Sequence, residues 1–380
     1  MPGHIPHRLV ALALLAGLLL APARSALAWA HQGHILITRL ACLRIIDDPQ
    51  APAGLKAFLQ ANLAATRDDC ARLALSATVG PDATGYLTGL DGACTLPDRI
   101  QTTAEGRKAL EPYGLPESRL HFIDLEYFAP HPAFQDDLSN LPAVEAFPRD
   151  VKDPRYRESG FLPLRTDDVY RRFVAALGPP DRPINNTEAV HWLGYLAHYL
   201  EDAHQPQHGT MDYKSLSYLV GKVPGVSARQ TRDALGNALA VHRSGPEINP
   251  HGDVEYQLFE NSDAPRGALR RAFWQKLQDD LAALAAHPDP RFAIDAGRFD
   301  GFATSLNLVH NSYGFLPLIG RAAQAAYASG KFDPAAFYTF GGTAEGRAMT
   351  VLDMIALQNA RATMVVAQAI RAAWREARDE

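Results

Sequence analysis

Four of the 14 histidines of this 380-residue chain fall within HWLGYLAHYLEDAHQPQH, residues 191 to 208. His198 and Asp202 stand one helical turn apart, so on a helix their side chains share a face and can converge on a single cation. The plain alternative is an ordinary i,i+4 hydrogen-bonded pair. Val190, Leu193, Leu196, Ala197 and Leu200 make most of that helix apolar. Burial follows, and an ionisable group in a packed core must be paired or must coordinate a metal. Gln205-Pro206 ends the helix and leaves His208 to turn back toward the same pocket or a neighbouring one. His191 reads as a core or supporting histidine, and His204 as solvent-facing. A second i,i+4 pair, His251 and Glu255 in NPHGDVEYQLFEN, follows a helix start at Pro250. His121 lies in the apolar stretch RLHFIDLEYF, as an extended segment or a helix start. With His34, these groups suffice for more than one zinc ion held by nitrogen and oxygen.

The stretch SALAWAHQGH, residues 25 to 34, adds a further ligand type. Arg8, the apolar run LVALALLAGLLLAPA and the small-x-small sequence Ala26-Leu27-Ala28 form the pattern of a secretory signal peptide over residues 1–28, shorter than a membrane-spanning helix. Cleavage frees the amino group of Trp29, whose unperturbed pKa near 8 lets a nearby dication displace its proton. Amino nitrogen and carbonyl oxygen of residue 29 then form a chelate, with the indole as an apolar anchor. The expected mature chain, residues 29–380, is secreted or periplasmic and keeps no transmembrane anchor.

Loss of Arg8 and Arg24 takes the formal charge from −5 to −7, so the protein offers no general electrostatic footprint for polyanions. Phosphate chemistry needs local positive charge, which metal ions supply. Cys42, Cys70 and Cys94 show no zinc-finger spacing. Either Cys70 pairs with Cys94, both in irregular sequence, leaving one spare thiol, or all three are buried free thiols.

Helical periodicity dominates and strand signals are sparse. Helices are expected over 33–46, 51–63, 166–177, 187–203, 264–285, 302–312 and 344–377, with Asn359 interrupting the apolar stripe of the last. Asn185-Asn186-Thr187 fits a glycosylation acceptor formally and a helix cap physically. Long Pro- and Gly-rich segments at 78–118, 128–165 and 205–250 read as functional loops. The expectation is an all-α fold: one large helical domain with long loops.

Trp29 with His34, then LHFID, then HYLEDAHQPQH, then His251-x-x-x-Glu255 resemble the superfamily that joins bacterial zinc-dependent phospholipases C to the single-strand-specific zinc nucleases of fungi and plants. The matching elements run from residue 29 to 255. The resemblance implies an all-α fold of that type, three Zn2+ ions and hydrolysis of phosphoric ester bonds. It implies one zinc held by Trp29, His34 and Asp202, a second by Asp202, His198, His121 and an aspartate, and a third by His208, His251 and Glu255. GPDATG suggests Asp82 for the aspartate, as ligand and general base, with Asp91 and Asp98 as substitutes because the interval to His121 is longer than the family's. The interval from His208 to His251 is also expanded, as a flap or rim. Glu255 and HYLED, against the phospholipase pattern HYLGD, lean toward a phospholipase C acting on glycerophospholipids at a membrane surface. LHFID leans toward a single-strand-preferring nuclease of the 3′-nucleotidase type. A zinc-binding protein without catalysis is the third reading. No stable protein partner is implied.

Overall fold

The structure is a computed structural model that describes residues 29–77, 88–129, 141–232, 238–255, 257–260, 264–294 and 299–378. The expected signal peptide, residues 1–28, and Asp82 lie outside the described residues.

Helices α1 (Ala30–Ile46), α2 (Ala53–Asn62) and α3 (Arg67–Leu75) come first, followed by two short helices, α4 (Gly89–Cys94) and α5 (Leu96–Gln101). After a run of irregular chain and 3-10 turns, α6 (Arg155–Ser159) leads into α7 (Leu162–Leu177) and α8 (Asn186–Asp202). The next long segment carries a hairpin, β1 (Ser227–Arg232) and β2 (Ala238–Arg243), antiparallel with Ser227 opposite Arg243. Then follow α9 (Pro250–Glu255), α10 (Gln257–Glu260), α11 (Ala264–Ala286), α12 (Gly301–Tyr313), α13 (Leu316–Ala326) and α14 (Pro334–Tyr338). A second hairpin, β3 (Gly341–Ala344) and β4 (Arg347–Thr350), feeds the last helix, α15 (Val351–Arg378). The fold is all-α in class, as expected. No described helix is long and apolar enough to cross a membrane.

The core forms around α15, which packs against α1, α7, α8 and α11. Ile355, Ala362, Val366, Ile370 and Ala373 are buried along it. Asn359 is buried too and donates from Nδ2 to the Ile355 carbonyl at 2.9 Å, so the interruption of the stripe is satisfied within its own helix.

Local sequence explains the helix starts. Thr66 and Asp69 form a reciprocal capping box on α3. The Asn185 side chain accepts from the Glu188 N–H to open α8. Pro163 sits in the first turn of α7, which therefore begins four residues before the expected 166.

Two expectations need correction, and of the two alternatives for the cysteines one holds. The helix expected over 344–377 begins only at Val351. Glu345 and Gly346, with φ of 50° and 73°, make the tight turn of the β3–β4 hairpin, and Thr350 and Asp353 exchange the capping bonds that start the helix. The segments 78–118, 128–165 and 205–250 are not bare loops but carry α4, α5, α6 and the first hairpin. Cys42, Cys70 and Cys94 are all free and buried, so the Cys70–Cys94 bridge is absent. Burial pushes the Cys70 thiol up to about 11, which makes it unreactive.

Candidate metal centre

Helix α8 is the axis of the site. From Leu193 to Asp202 every residue is buried, so His198 and Asp202 have no solvent to face. Gly194 allows the end of α4 to approach: a Cβ there would lie 2.4 Å from the Ala93 carbonyl carbon and 2.7 Å from the Cys94 nitrogen. That closeness lets the Cys94 carbonyl accept from His198 Nδ1 at 2.8 Å. The proton on Nδ1 leaves Nε2 of His198 as the ligand nitrogen.

Other elements deliver their groups to the same point. His121, in irregular chain between two 3-10 turns, places Nδ1 3.0 Å from Asp202 Oδ2 and 3.0 Å from His198 Nε2. Asp98, on α5, places Oδ1 3.7 Å from each of those two imidazole nitrogens. His34, on α1, stacks on His198 with ring centroids 4.0 Å apart and points Nε2 at Asp98 and Asp202, 3.7 Å from each. Its Nδ1 lies 2.5 Å from Glu201 Oε2.

A neighbouring group is built from the chain beyond α8. The Gln205 side chain accepts from the Gln207 N–H at 2.5 Å, turning the chain so that His208 faces back. His208 Nδ1 donates to the His121 carbonyl at 2.7 Å, while its Nε2 stands 3.4 Å from Glu255 Oε1. His251 Nε2 is 2.7 Å from the same oxygen. Helix α9, which carries both, is pinned through Asp253: Tyr327 donates to its carboxylate at 2.7 Å and Tyr338 to its carbonyl at 2.6 Å. The chain after His208 is fixed by buried Glu126, which accepts from Thr210, Tyr313 and the Met211 N–H.

Residue 29 lies between these groups. Trp29 is 2 % exposed, in a left-handed conformation, with its indole N–H donating to the Glu201 carbonyl at 2.8 Å. Its backbone N–H helps to hold the Glu255 carboxyl down against the effect of burial.

Three sets of buried ligand atoms result: His34, His198 and Asp202; Asp98, His121 and His198; His208, His251 and Glu255, each within 4.8 Å. Their chemistry fits cations. Asp98 Oδ2, Asp202 Oδ1 and Glu255 Oε2 are buried without a hydrogen-bond partner, a costly state that a metal ion relieves. Burial, reinforced by Asp202, holds the Asp98 carboxyl well above the usual range; burial and Glu255 do the same to Asp202. Glu255 is pushed up to about 7 by burial. Burial lowers His121 to about 4 and His251 to about 3, and holds His198 well below 6.5. Neutral imidazoles beside carboxylates short of charge compensation are the donor set that hard and borderline dications take.

The structure thus brings together His34, His121, His198, Asp202, His208, His251 and Glu255, with residue 29 beside them. Asp98 joins them as the second aspartate. Asp91 does not: both of its oxygens are engaged by Arg39, at 3.0 and 2.6 Å. His191 is half-buried against Tyr195 and Trp192 and belongs to none of the three sets. His204 corrects its expectation of solvent exposure. It is fully buried, donates to the Leu200 carbonyl at 2.7 Å and stacks on Phe292, because α12 and α15 close over the exit of α8. Glu201 is the residue that sequence reading missed; its only signal was a second carboxylate beside Asp202 in a largely apolar helix.

A cavity of about 380 Å3 opens onto His121, His208 and His251. Arg119, Phe122, Asp124, Met211 and Tyr213 form part of its wall, so the expanded 208–251 segment contributes to the rim. A scan against protein-family models and a search of curated proteins found no match to this chain.

Proposed function

We propose that this protein is an exported, zinc-dependent phosphodiesterase, first a phospholipase C acting on glycerophospholipids. One observation carries the reading. Buried imidazoles and carboxylates from five separate chain segments converge beside a cavity, with Trp29 anchored next to them through its indole bond to the Glu201 carbonyl.

On this reading signal cleavage at residue 28 converts the Trp29 N–H into an amine that joins His34 and Asp202. Asp98, His121, His198 and Asp202 form the second site, and His208, His251 and Glu255 the third. Zinc in these sites supplies Lewis acidity that lowers the pKa of water to near neutrality and offsets negative charge on a phosphate. Asp98 takes the role of the motif aspartate: its Oδ2 accepts the proton of the attacking water. The Nδ1–H groups of His198 and His208, held by the Cys94 and His121 carbonyls, keep the opposite nitrogens aimed at the reaction centre. Arg119, on the cavity wall, attracts an anionic ester, and Phe122, Met211 and Tyr213 exclude water beside it.

The phospholipid is placed first because Glu255 and HYLED follow the phospholipase side of the sequence resemblance. A single-strand-preferring nuclease is the second reading, favoured by the wall itself: Phe122 and Tyr213 offer ring faces for a base, and Asp124 a buried acceptor for its amino group. Zinc-loaded protein assayed on phosphatidylcholine vesicles and on single-stranded DNA separates them. Release of phosphocholine supports the first reading, and DNA cleavage without it supports the second. Metal-replete protein inert on both is a zinc-binding protein, and the hydrolase reading is then wrong.

A further inference from the structure

We propose that Glu201 is the positioning residue of the metal site at the mature terminus, aiming two of its ligands at once. This rests on the functional reading above and deepens it. Glu201 precedes the ligand Asp202 in the chain, but successive helical residues diverge by about 100°, so its side chain leaves α8 in another direction. It is fully buried. One carboxylate oxygen, Oε2, meets His34 Nδ1 at 2.5 Å, and the other accepts from the Thr38 hydroxyl at 2.9 Å. His34 and Thr38 are one turn apart on α1, so a single face of that helix grips both oxygens. The carbonyl of the same residue accepts the Trp29 indole N–H at 2.8 Å.

The effect on His34 is specific. A carboxylate at Nδ1 keeps the ring proton there and leaves the Nε2 lone pair directed at Asp98 and Asp202. The effect on Trp29 is steric: the tethered indole fixes where residue 29 enters the site. Packing does not explain the acid. The phospholipase pattern HYLGD has a glycine at this place, and a buried carboxylate costs free energy that a small residue avoids. One of its two donors, His34, and the partner of its carbonyl, Trp29, are residues of the terminal site.

The test uses the mature protein with Glu201→Leu, which has no acceptor, and Glu201→Gln, which keeps one. Zinc affinities come from competition with a chromophoric chelator, and the His34 tautomer from 15N NMR of the metal-free protein. Expected for Glu201→Leu is a roughly 10–100-fold weaker terminal site, with the His208, His251 and Glu255 site unchanged, and a His34 ring no longer confined to the Nδ1–H form. Glu201→Gln retains the tautomer and weakens the same site by about 10-fold or less. Wild-type affinity at every site in Glu201→Leu overturns the inference. If that variant does not fold, Glu201→Gln decides, and unchanged affinity there overturns it equally. Wild-type protein that binds zinc with the His34 tautomer described, yet hydrolyses neither substrate, overturns the functional reading alone. Wild-type protein that takes up no zinc overturns both.

Discussion

The indole N–H of Trp29 donates to the backbone carbonyl of Glu201 at 2.8 Å, in the residue that precedes the candidate ligand Asp202. This one bond ties the start of α1 to the end of α8 and sets buried residue 29 beside the imidazoles. Protein beginning at Trp29 should therefore hold one more equivalent of zinc than protein carrying a single extra residue ahead of it. Elemental analysis after dialysis measures the difference. Equal zinc content in the two would remove the terminal nitrogen from the ligand set.

Asp98 and Asp91 should fail in opposite ways. Asp98→Asn removes a buried carboxylate with an oxygen left unpartnered in the metal-free protein. It should lower metal content and reduce turnover by more than about 100-fold, with metal-free stability kept or improved. Asp91→Asn removes the negative charge from a mostly buried bridge to Arg39. It should lower stability with metal content intact. Urea denaturation and metal analysis of both variants check this, and Asp82→Asn serves as a third arm. Loss of zinc in Asp82→Asn with none in Asp98→Asn would restore Asp82 as the ligand.

Acid and base should act differently with and without metal. Glu255 rises from 4.5 to about 7 through burial, and Asp98 and Asp202 stand well above 3.8 for the same reason first. A group with a raised folded pKa adds stability below its unfolded value, and that contribution disappears as pH climbs through the folded one. His121 and His251, lowered by burial to about 4 and about 3, contribute above 6.5 and lose that contribution as pH falls. The two sets oppose each other between 4.5 and 6.5. Above 6.5 these imidazoles are neutral whether folded or not, and the carboxylates decide. Metal-free protein should thus melt at progressively lower temperature from pH 6.5 to about pH 8, while zinc-loaded protein should not, because the cations compensate the ionised acids. A flat or rising melting temperature for the metal-free form in that window contradicts the assignment.

Gly194→Ala tests how closely α4 must approach α8. The new methyl would meet Ala93 Cβ and the Ala93 carbonyl carbon, each at 2.4 Å, and backbone cannot swing aside as a side-chain tip can. A loss of about 1–3 kcal/mol is expected from overpacking. Weaker zinc binding should accompany it, since the Cys94 carbonyl that orients His198 would move. Unchanged thermal stability would mean that α4 is not held where it is by this contact.

Much of the site was legible because its residues obey local rules. His198 and Asp202, and again His251 and Glu255, carry their geometry in a four-residue spacing, and Asn185 announces the helix that presents the first pair. Asp98 offered no such signal. Its helix is six residues long, without periodicity, and is packed against α4, α8 and the turn at Glu117–Arg119. His204 looked exposed beside Gln205-Pro206 because the cover arrives from residues 312 and 358, far along the chain. The start of α15 was misread for a related reason: Ala-Glu-Gly-Arg-Ala-Met is built largely of helix-forming residues, and a glycine in a two-residue turn outweighed them.

Trp29 has a last consequence. In an uncleaved precursor its nitrogen belongs to a peptide bond, with its lone pair drawn into the neighbouring carbonyl and unable to bind a cation. On the reading proposed here, the protein travels through its own cell disarmed. The phosphoesters of that cell are spared until a protease cuts one bond, and the leader doubles as a safety catch.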